Sequence, residues 1–426
     1  MLKTLKEAWK IPELRRKMVF TLLMLVVYRI GASIPVPYID REVIRQQIES
    51  AQGSVLQFLD LMGGGTFSNF SIFATNIYPY ITASIVIQLL TVAFPSLGEL
   101  AKEGESGRRK INSYTRYLSV GLAAIQAFGF TFGVFRKAMT ATNPFQDIIV
   151  LISLVAGSSF LIWLGDIITE RGVGNGISLL IFTGIIAKLP NDVMRALQLM
   201  KVGELNIVKY VIFVILMLLI VAFVVRLQEG TRKVPVQYAK RMVGRKMYGG
   251  QSTHIPIKVS MSGVMPVIFA NTILAIPQTI GMFAKQDSGF KKFVTDFLTP
   301  QGSVGVWVYL IFDFCLILFF AYFYTAIQFN TVEYSKSLQQ NGGFIPGIRP
   351  GRPTSDFLSK IVSRITFIGG VQLAFLASVP ILIEKLLKMN ASFTGTSVII
   401  VVGVAIEFVK MLEAQMMMRH YKGFLG

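Results

Sequence analysis

The sequence predicts an all-α integral membrane protein with ten transmembrane helices. Hydrophobic residues make up 53% of the 426 residues and charged residues only 15%, whereas a soluble domain carries roughly 25% charged residues. The mean hydropathy of +0.59 agrees with that composition. Ten apolar stretches approach the roughly 20 residues that cross a hydrocarbon core as a helix. They are 18–38, 71–94, 114–135, 147–166, 173–190, 207–227, 259–284, 304–330, 365–386 and 393–416.

The first and fifth stretches need their own justification. Basic residues 15–17 precede the first stretch as they would in a signal peptide, but the apolar run is too long, contains Arg29 and lacks a small-residue cleavage site. It is therefore predicted to be a retained span. The fifth stretch is short and follows the glycine-rich segment 172–176. No strand precedes those glycines and no downstream acid completes a dinucleotide motif, so they predict a tight turn into a membrane helix.

Lys and Arg gather on one side of this topology. The chain has 42 basic and 23 acidic residues, a net charge of +19. With ten spans, 27 basic residues fall on the side of the two termini and 13 on the other side. Because Lys and Arg are concentrated in cytoplasmic loops, both termini are predicted to be cytoplasmic. The 188–209 connection, with four basic residues, fits this topology least well.

Two of the predicted cytoplasmic loops are long and basic. Residues 226–258 hold eight basic residues against one acid, and residues 331–364 hold Arg349 and Arg352 among Gly and Pro. One interpretation is that these charges only retain the loops in the cytoplasm. The alternative is a docking surface, which the Pro-Gly stiffening beside Arg349 favours because retention requires no rigid loop.

An internal match divides the chain into two halves. The run Ile-Tyr-Pro-Tyr-Ile from Ile77, in the second span, parallels Val-Met-Pro-Val-Ile from Val264, in the seventh. Five spans in each half would reverse the second half in the membrane, an inverted repeat of the kind that frames a midplane pathway. The predicted halves are residues 1–190 and residues 191–426.

Enzyme chemistry finds little support in the sequence. The chain has one cysteine, Cys315, and two histidines, and it contains no metal-binding His pair, nucleophile elbow or phosphate-binding loop. No cofactor is predicted. Asp313 is an acid within the eighth span, where a proton-coupled transporter would need one together with a partner. A secondary transporter of a small solute therefore stands as the alternative function.

The segment between the first two spans is apolar, rich in small residues and too short to cross a bilayer. Its triple glycine would destabilise a helix interior. One interpretation is a re-entrant or interfacial loop, and the other is a movable stopper resting in a cavity with glycine as its hinge. The residues that carry this prediction are Phe58, Leu61, Gly63, Gly64, Gly65 and Phe67.

Isoleucine pairs recur at helical spacing in the spans. Ile77 with Ile81, and Ile177 with Ile181, are i,i+4 pairs that place two branched side chains on one helix face. Any single membrane isoleucine more often contacts lipid or a neighbouring helix, so spacing alone identifies no site.

The chain as a whole resembles the SecY/Sec61-alpha family of protein-conducting channel subunits. The resemblance covers essentially the full length and rests on motifs that occur in the family's order. They are Tyr-Arg-Ile-Gly from Tyr28, Tyr-Pro-Tyr-Ile-Thr-Ala-Ser-Ile from Tyr78, Gln-Leu-Leu-Thr-Val from Gln88, Glu-Gly-Glu-Ser-Gly-Arg-Arg-Lys from Glu103, Ile-Thr-Glu-Arg-Gly-Val-Gly-Asn-Gly-Ile-Ser from Ile168, Tyr-Ala-Lys-Arg from Tyr238, Gln-Ser-Thr-His-Ile-Pro from Gln251 and Pro-Gly-Ile-Arg-Pro-Gly from Pro346.

This resemblance implies an hourglass pore between two inverted five-helix halves, closed by a short plug helix at about 55–70. It also implies a lateral gate between the second and seventh spans, for which Ser84, Gln88 and Asn271 are candidate polar residues. Six apolar side chains would form the ring at the waist, where a narrow hydrocarbon constriction resists wetting. They are Ile77, Ile81, Ile177, Ile181, Ile268 and Ile400.

The resemblance also implies partners. The family's cytoplasmic loops bind the SecA motor ATPase or a ribosome, and the matching basic residues here are Arg241, Arg245, Lys246 and Arg349. Small SecE and SecG subunits, secretory and membrane polypeptides, and membrane lipids complete the expected partners in a bacterial plasma membrane. Two departures are visible, since Lys246 replaces an Arg common in relatives and no long basic tail follows residue 419.

Overall fold

A computed structural model describes residues 2–50, 60, 63–140, 143–202, 207–238, 241–243, 246–248, 252–284, 288–299, 305–387 and 395–422. In these ranges the helices are α1 Leu2–Lys10, α2 Pro12–Ser33, α3 Arg41–Ser50, α4 Tyr78–Ala93, α5 Pro95–Lys102, α6 Glu105–Gly129, α7 Pro144–Arg171, α8 Gly176–Val202, α9 Ile207–Glu229, α10 Met265–Phe283, α11 Gly289–Phe297, α12 Gly305–Gln328, α13 Thr331–Gln340, α14 Arg352–Leu387 and α15 Gly395–Lys422. The strands are β1 Thr231–Tyr238, β2 Arg241–Val243, β3 Lys246–Tyr248, β4 Ser252–Lys258 and β5 Gly343–Phe344.

Each of the ten predicted apolar stretches falls on a helix: α2, α4, α6, α7, α8, α9, α10, α12, α14 and α15. Within the described residues, five helices have the length and apolar composition needed to cross a membrane. Helices α4 and α5 are bent by 103° relative to each other, and they give a sixth span if the pair is counted as one. The apolar parts of α8 and α10 are shorter, at 176–191 and 265–281. Charges near the ends of α2 and α15 dilute their hydropathy.

Several helix boundaries differ from those predicted, and three of the differences bear on the site or the terminal loops. Helix α4 begins at Tyr78 rather than at residue 71, which leaves Pro79 in its first turn, where a missing N–H costs nothing. Helix α8 continues through Pro190 to Val202, across much of the predicted 188–209 connection. Helix α14 begins at Arg352 instead of 365, so the predicted 331–364 loop is largely helical.

The same packing pattern occurs in the two predicted halves. In the first half, α4 packs on α6, α6 on α7 and α7 on α8, while α2 packs on α7 and α8. In the second half, α10 packs on α12, α12 on α14 and α14 on α15, while α9 packs on α14 and α15. Corresponding helices therefore make corresponding contacts, as an internal repeat requires.

The two sets of helices meet at a few places. Helix α4 contacts α10, and α8 contacts α15. At one end of the bundle, α1 packs against α15, and the Thr4 hydroxyl donates a hydrogen bond to Glu413 at 3.0 Å. Helix α1 and the last turns of α15 therefore lie at this end, which is called the terminal face below.

A small sheet lies beside the terminal face, where Lys410 of α15 donates to the Gln228 carbonyl at the end of α9, just before β1. Strands β1 and β4 fall within the segment 226–258, which was predicted only as a loop, and β5 falls within the segment 331–364. Strand β1 pairs antiparallel with β4 over residues 231–237 and with β5 at its end, in the order β4-β1-β5. Alternation explains the strand, because Val234 and Val236 point inward between exposed neighbours. These valines pack with Ile257 and with Leu358 of α14, so the two basic segments form one folded unit.

Replacing Leu358 tests this unit. Its side chain is fully buried between the sheet and α14. We expect Leu358→Ala to destabilise the unit by about 2–5 kcal/mol through lost contacts and a residual cavity. Limited proteolysis of the sheet strands should then accelerate, while Val332→Ala, at a half-exposed position of α13, should leave the cleavage rate unchanged. Equal rates for the two variants would contradict the packing.

Candidate functional site

The six predicted ring isoleucines converge in one apolar cluster. Five of them are buried, and Ile177 is half-buried against the same cluster. They come from four helices: Ile77 and Ile81 from the start of α4, Ile177 and Ile181 from α8, Ile268 from α10, and Ile400 from α15. This cluster also contains many other residues of the bundle core, so membership is consistent with a ring without distinguishing ring from core. Their role as a pore ring stays a prediction.

The internal sequence match has a structural counterpart at the first turns of α4 and α10. Ile77 and Val264 are the N-cap residues, each with a helical backbone, and a proline follows two positions later in the first turn. Ile81 donates its N–H to the Ile77 carbonyl at 3.1 Å, and Ile268 donates to the Val264 carbonyl at 3.3 Å. The two matched motifs therefore start equivalent helices and place Ile81 and Ile268 in equivalent first turns.

The glycine-rich segment before α8 is a turn, as predicted. The Asn175 side chain accepts hydrogen bonds from the N–H groups of Ile177 and Ser178 at 3.0 and 3.2 Å, which caps the helix. Gly176 lies so close to the Gly165 carbonyl of α7 that a Cβ would overlap it. This contact sets the position of Ile177 against α7.

The part of the predicted plug that the structure describes is Asp60 together with residues 63–70, while Phe58 and Leu61 lie outside the described residues. The segment 63–77 consists mainly of turns, yet most of it is buried. Its backbone is tied to the exit of α2, because the Val36 N–H donates to the Phe70 carbonyl and the Ile72 N–H donates to the Ile34 carbonyl, both at 3.0 Å.

Phe67 anchors this segment through aromatic packing. Its ring makes edge contacts with Phe130 and Phe135, at centroid distances of 5.0 and 5.5 Å, and Phe70 packs on Phe135 at 5.3 Å. The stretch that follows the glycines is therefore held in its own apolar cluster. Of the predicted plug residues, Phe67 belongs to an anchored part of the segment.

Of the three predicted hinge glycines, Gly63 and Gly64 lie against α2, and Gly64 also lies against α8. Gly64 and Gly65 have φ values of +65° and +87°, a region that favours glycine. A Cβ on Gly64 would overlap the backbone of Gly184 in α8, so close approach also requires glycine here. Tyr28 donates its hydroxyl to the Gly63 carbonyl at 3.1 Å, and Arg29 donates to the Gly64 carbonyl at 3.4 Å. Arg29, a charge within the first predicted span, thus reaches a backbone carbonyl of this turn.

A buried ion pair joins the plug segment to α8, and it was missed in the sequence. The Lys188 ammonium lies 2.5 Å from Asp60 Oδ2, and the two side chains are 17% and 3% exposed. The other carboxylate oxygen, Oδ1, accepts hydrogen bonds from the N–H and the hydroxyl of Ser68 at 2.7 and 2.6 Å. Lys188 was counted as a loop charge in the sequence, although it follows Ile181 by two helical turns on the same helix.

The predicted gate residues are bonded within their own helices. Gln88 donates to the Ser84 hydroxyl at 3.2 Å along α4, and Asn271 donates to the Val267 carbonyl at 2.9 Å along α10. The hydrogen bond that crosses between these helices comes from Tyr78, whose hydroxyl donates to the Thr272 carbonyl at 2.9 Å. Tyr78 is therefore a contact residue that the sequence did not single out.

Three of the four predicted docking residues lie in the part of the chain that the structure describes. Arg349 is exposed at a turn flanked by Gly347 and Gly351, both with positive φ. Thr354 donates its hydroxyl to the Arg349 carbonyl at 2.9 Å, which fixes the tip. Arg241 and Lys246 lie on the paired strands β2 and β3, and Arg245 lies outside the described residues.

Asp313 is buried in α12, as the transporter alternative would require. Neither of its carboxylate oxygens has a hydrogen-bond partner among the described residues. A separate ion pair joins Arg116 of α6 to Asp166 of α7 at 2.7 Å, and Asp313 takes no part in it.

Sequence comparison decides the family. The sequence model of the SecY family matches residues 71–409. The chain belongs to the SecY family. It is 42% identical over 434 residues to the protein translocase subunit SecY of Thermus thermophilus, covering 100% of this chain and 98% of that one. It is 44% identical over 437 residues to SecY of Halalkalibacterium halodurans, with 100% of both chains covered.

Solved structures share the SecY fold at lower sequence identity. A protein-conducting channel aligns with 93% of this chain and 91% of its own, with a TM-score of 0.67 at 20% identity. A SecY structure, described as having a plug domain that stabilises the closed channel, gives a TM-score of 0.66 with the same identity and coverage. Sec61 in a canine ribosome–channel complex gives 0.64, again at 20% identity and with 93% and 91% covered. The predicted family and helical channel fold are therefore confirmed.

Removing the Tyr78 hydroxyl tests the contact between α4 and α10. A net contribution of about 0.5–1.5 kcal/mol is typical of such a hydrogen bond, so Tyr78→Phe should lower the thermal unfolding temperature of the full chain in detergent. Tyr117→Phe serves as the control because Tyr117 is 77% exposed. Indistinguishable unfolding temperatures for wild type and Tyr78→Phe would show that this bond contributes nothing.

Proposed function

We propose that this SecY-family chain is the channel subunit that moves unfolded secretory polypeptides across the plasma membrane and releases transmembrane segments sideways into lipid. One observation carries the proposal beyond family membership. The turn-rich segment 63–77 is enclosed by membrane helices and rests on α8 at Gly184, less than one turn beyond Ile181. A non-helical stretch in that position suits a plug beneath an apolar ring.

Two features of the proposed ring suit a polypeptide channel: its side chains are hydrocarbon, and they come from both halves of the chain. Branched hydrocarbon side chains deform around a passing polypeptide and offer it no hydrogen bonds, while a narrow apolar ring disfavours water and ions. Because the six isoleucines come from four helices of both halves, separation of the halves would widen the ring. The matching helix contacts in residues 1–190 and 191–426 support two such halves.

The plug and the lateral gate follow from the same arrangement. Gly64 and Gly65 supply a hinge between the anchored Phe67 and the preceding plug residues. The gate lies between α4 and α10, where Ser84, Gln88 and Asn271 line the route into lipid. Opening this gate would break the Tyr78–Thr272 hydrogen bond, which is a modest cost.

The terminal face is the cytoplasmic face in this proposal. The excess of 27 basic residues over 13 supports that orientation. Exposed Arg349 on its fixed tip, with Arg241, Arg245 and Lys246, would dock a SecA motor or the phosphates of ribosomal RNA. SecE-like and SecG-like subunits would complete the complex, and membrane lipids would surround it.

The secondary-transporter alternative is less well supported. The curated relatives are translocase subunits and the matching structures are channels, and both favour polypeptide over solute transport. Asp313→Asn should therefore leave polypeptide translocation intact, whereas a transporter would lose ion-coupled uptake.

Cross-linking tests the polypeptide path. A photoreactive residue at position 181 or 268, with a secretory polypeptide stalled midway, should give adducts at both positions because both side chains would line the ring. A photoreactive residue at Ile311, which is 63% exposed on α12, provides the control and should give none with the stalled chain. Translocation that proceeds without adducts at either ring position would overturn the proposed pore.

Polar substitution tests the ring as a seal. Ile268→Asn or Ile400→Asn should wet the constriction, because an amide holds water where isoleucine excludes it. Ion leak through vesicles should rise, and acceptance of defective signal sequences should rise with it. Ile311→Asn is the matched control outside the ring. Unchanged leak and selectivity in both ring variants would contradict the assignment.

A further inference from the structure

We propose that Asp60 and Lys188 form a plug clasp, an ion pair that sets how readily a signal sequence opens the channel. The inference rests on the proposed function, since it concerns the same plug and ring. It adds two residues that determine signal stringency, one on the plug segment and one on α8.

Both carboxylate oxygens of Asp60 have bonding partners in this structure. One oxygen meets the Lys188 ammonium, and the other accepts two hydrogen bonds from Ser68. The side chain is 3% exposed, so water cannot replace either partner while the plug is seated. Removing one member of a buried ion pair is costly because it leaves the other charge unpaired and desolvated.

Lys188 extends the pore-facing stripe of α8. Ile177, Ile181, Gly184 and Lys188 are spaced by four, three and four residues, which places them on one helix face. A rise of about 1.5 Å per residue puts Lys188 about 10 Å beyond Ile181, on the side away from the terminal face. The face that supplies two ring residues therefore also supplies the plug's backbone contact and its counter-charge.

The other contacts to the hinge glycines involve no pair of opposite charges. Tyr28 and Arg29 donate to backbone carbonyls of Gly63 and Gly64, at 3.1 and 3.4 Å, and Gly184 gives only a close backbone approach. Phe67, further along the segment, is held by aromatic packing on Phe130. The clasp is thus the charged contact between the plug segment and a ring-bearing helix within the described residues.

Displacement of the plug must separate this pair. Separation loses the attraction between the two charges, which their hydration in the opening pore offsets only in part, so the closed state is favoured until a signal sequence supplies compensating contacts. A weakened clasp lowers that threshold for every substrate. It should therefore raise ion leak and admit polypeptides with defective signals, without altering the ring itself.

A double-mutant cycle measures the clasp in the full chain with its partner subunits in vesicles. The readouts are ion leak and translocation of a polypeptide with a defective signal sequence. Lys188→Gln should raise both by about tenfold, because it strands the Asp60 carboxylate. Asp60→Asn should raise them less, because its amide oxygen still accepts from Ser68. The double variant should leak less than Lys188→Gln, since it leaves no buried charge unpaired.

Two further variants serve as controls. Lys188→Arg keeps the charge and should behave as wild type. Arg136→Gln with Asp147→Asn removes a 3.1 Å ion pair of the same half that does not contact the plug, and its leak should stay at the wild-type level. If Lys188→Gln fails to accumulate, the double variant decides the matter: a leak above wild type supports the clasp, and a wild-type leak overturns it.

Additive effects of the two substitutions, or wild-type leak in all clasp variants, would overturn the proposal. Failure of the wider function is distinguishable, because it appears in the wild-type chain as absent adducts at positions 181 and 268. Adducts at both positions together with additive clasp variants would reject the clasp alone.

Discussion

Hydrocarbon supplies no hydrogen-bond partners, so any non-helical backbone inside a membrane protein must be enclosed by protein. The segment 63–77 meets that constraint because the surrounding helices enclose it. Residues 34–36 of the α2 exit satisfy its N–H and carbonyl groups on one side. The Ser158 hydroxyl reaches the Asn76 carbonyl on the other, from the middle of α7. The helices α2, α7 and α8 are therefore arranged around this segment, and the first turn of α4 starts where it ends.

That enclosure places the predicted ring residues next to the predicted plug segment. Ile77 is at once the last residue of the enclosed segment and the N-cap of α4. Ile181 faces the same interior from α8, one stripe position before Gly184. Helix α8 and the start of α4 therefore contribute both to the enclosure of segment 63–77 and to the predicted ring. A shift of α8 relative to α4 would change both together.

The spans were predictable because a bilayer demands long apolar helices, and each apolar stretch indeed became a helix. The start of α4 at Tyr78 was not predictable, because residues 71–77 adjoin the apolar stretch in the sequence, whereas contacts with the α2 exit and with α7 hold them in turns. Strand β5 is two residues long, too short for any periodic signal. The Asp60–Lys188 pair joins residues 128 positions apart, and no local pattern reports such a distance. Family resemblance named the ring residues, whereas Tyr78 and Lys188 emerged only from tertiary contacts.

The sheet on the terminal face has a mechanical consequence. Strand β1 continues from α9 through Gly230, and β4 leads into α10, while β5 ties the Arg349 tip to the same sheet. The sheet therefore connects the exposed tip both to the end of α9 and to the segment that leads into α10, whose first turn carries Ile268. A partner that held the tip would thereby restrain two membrane helices through one sheet.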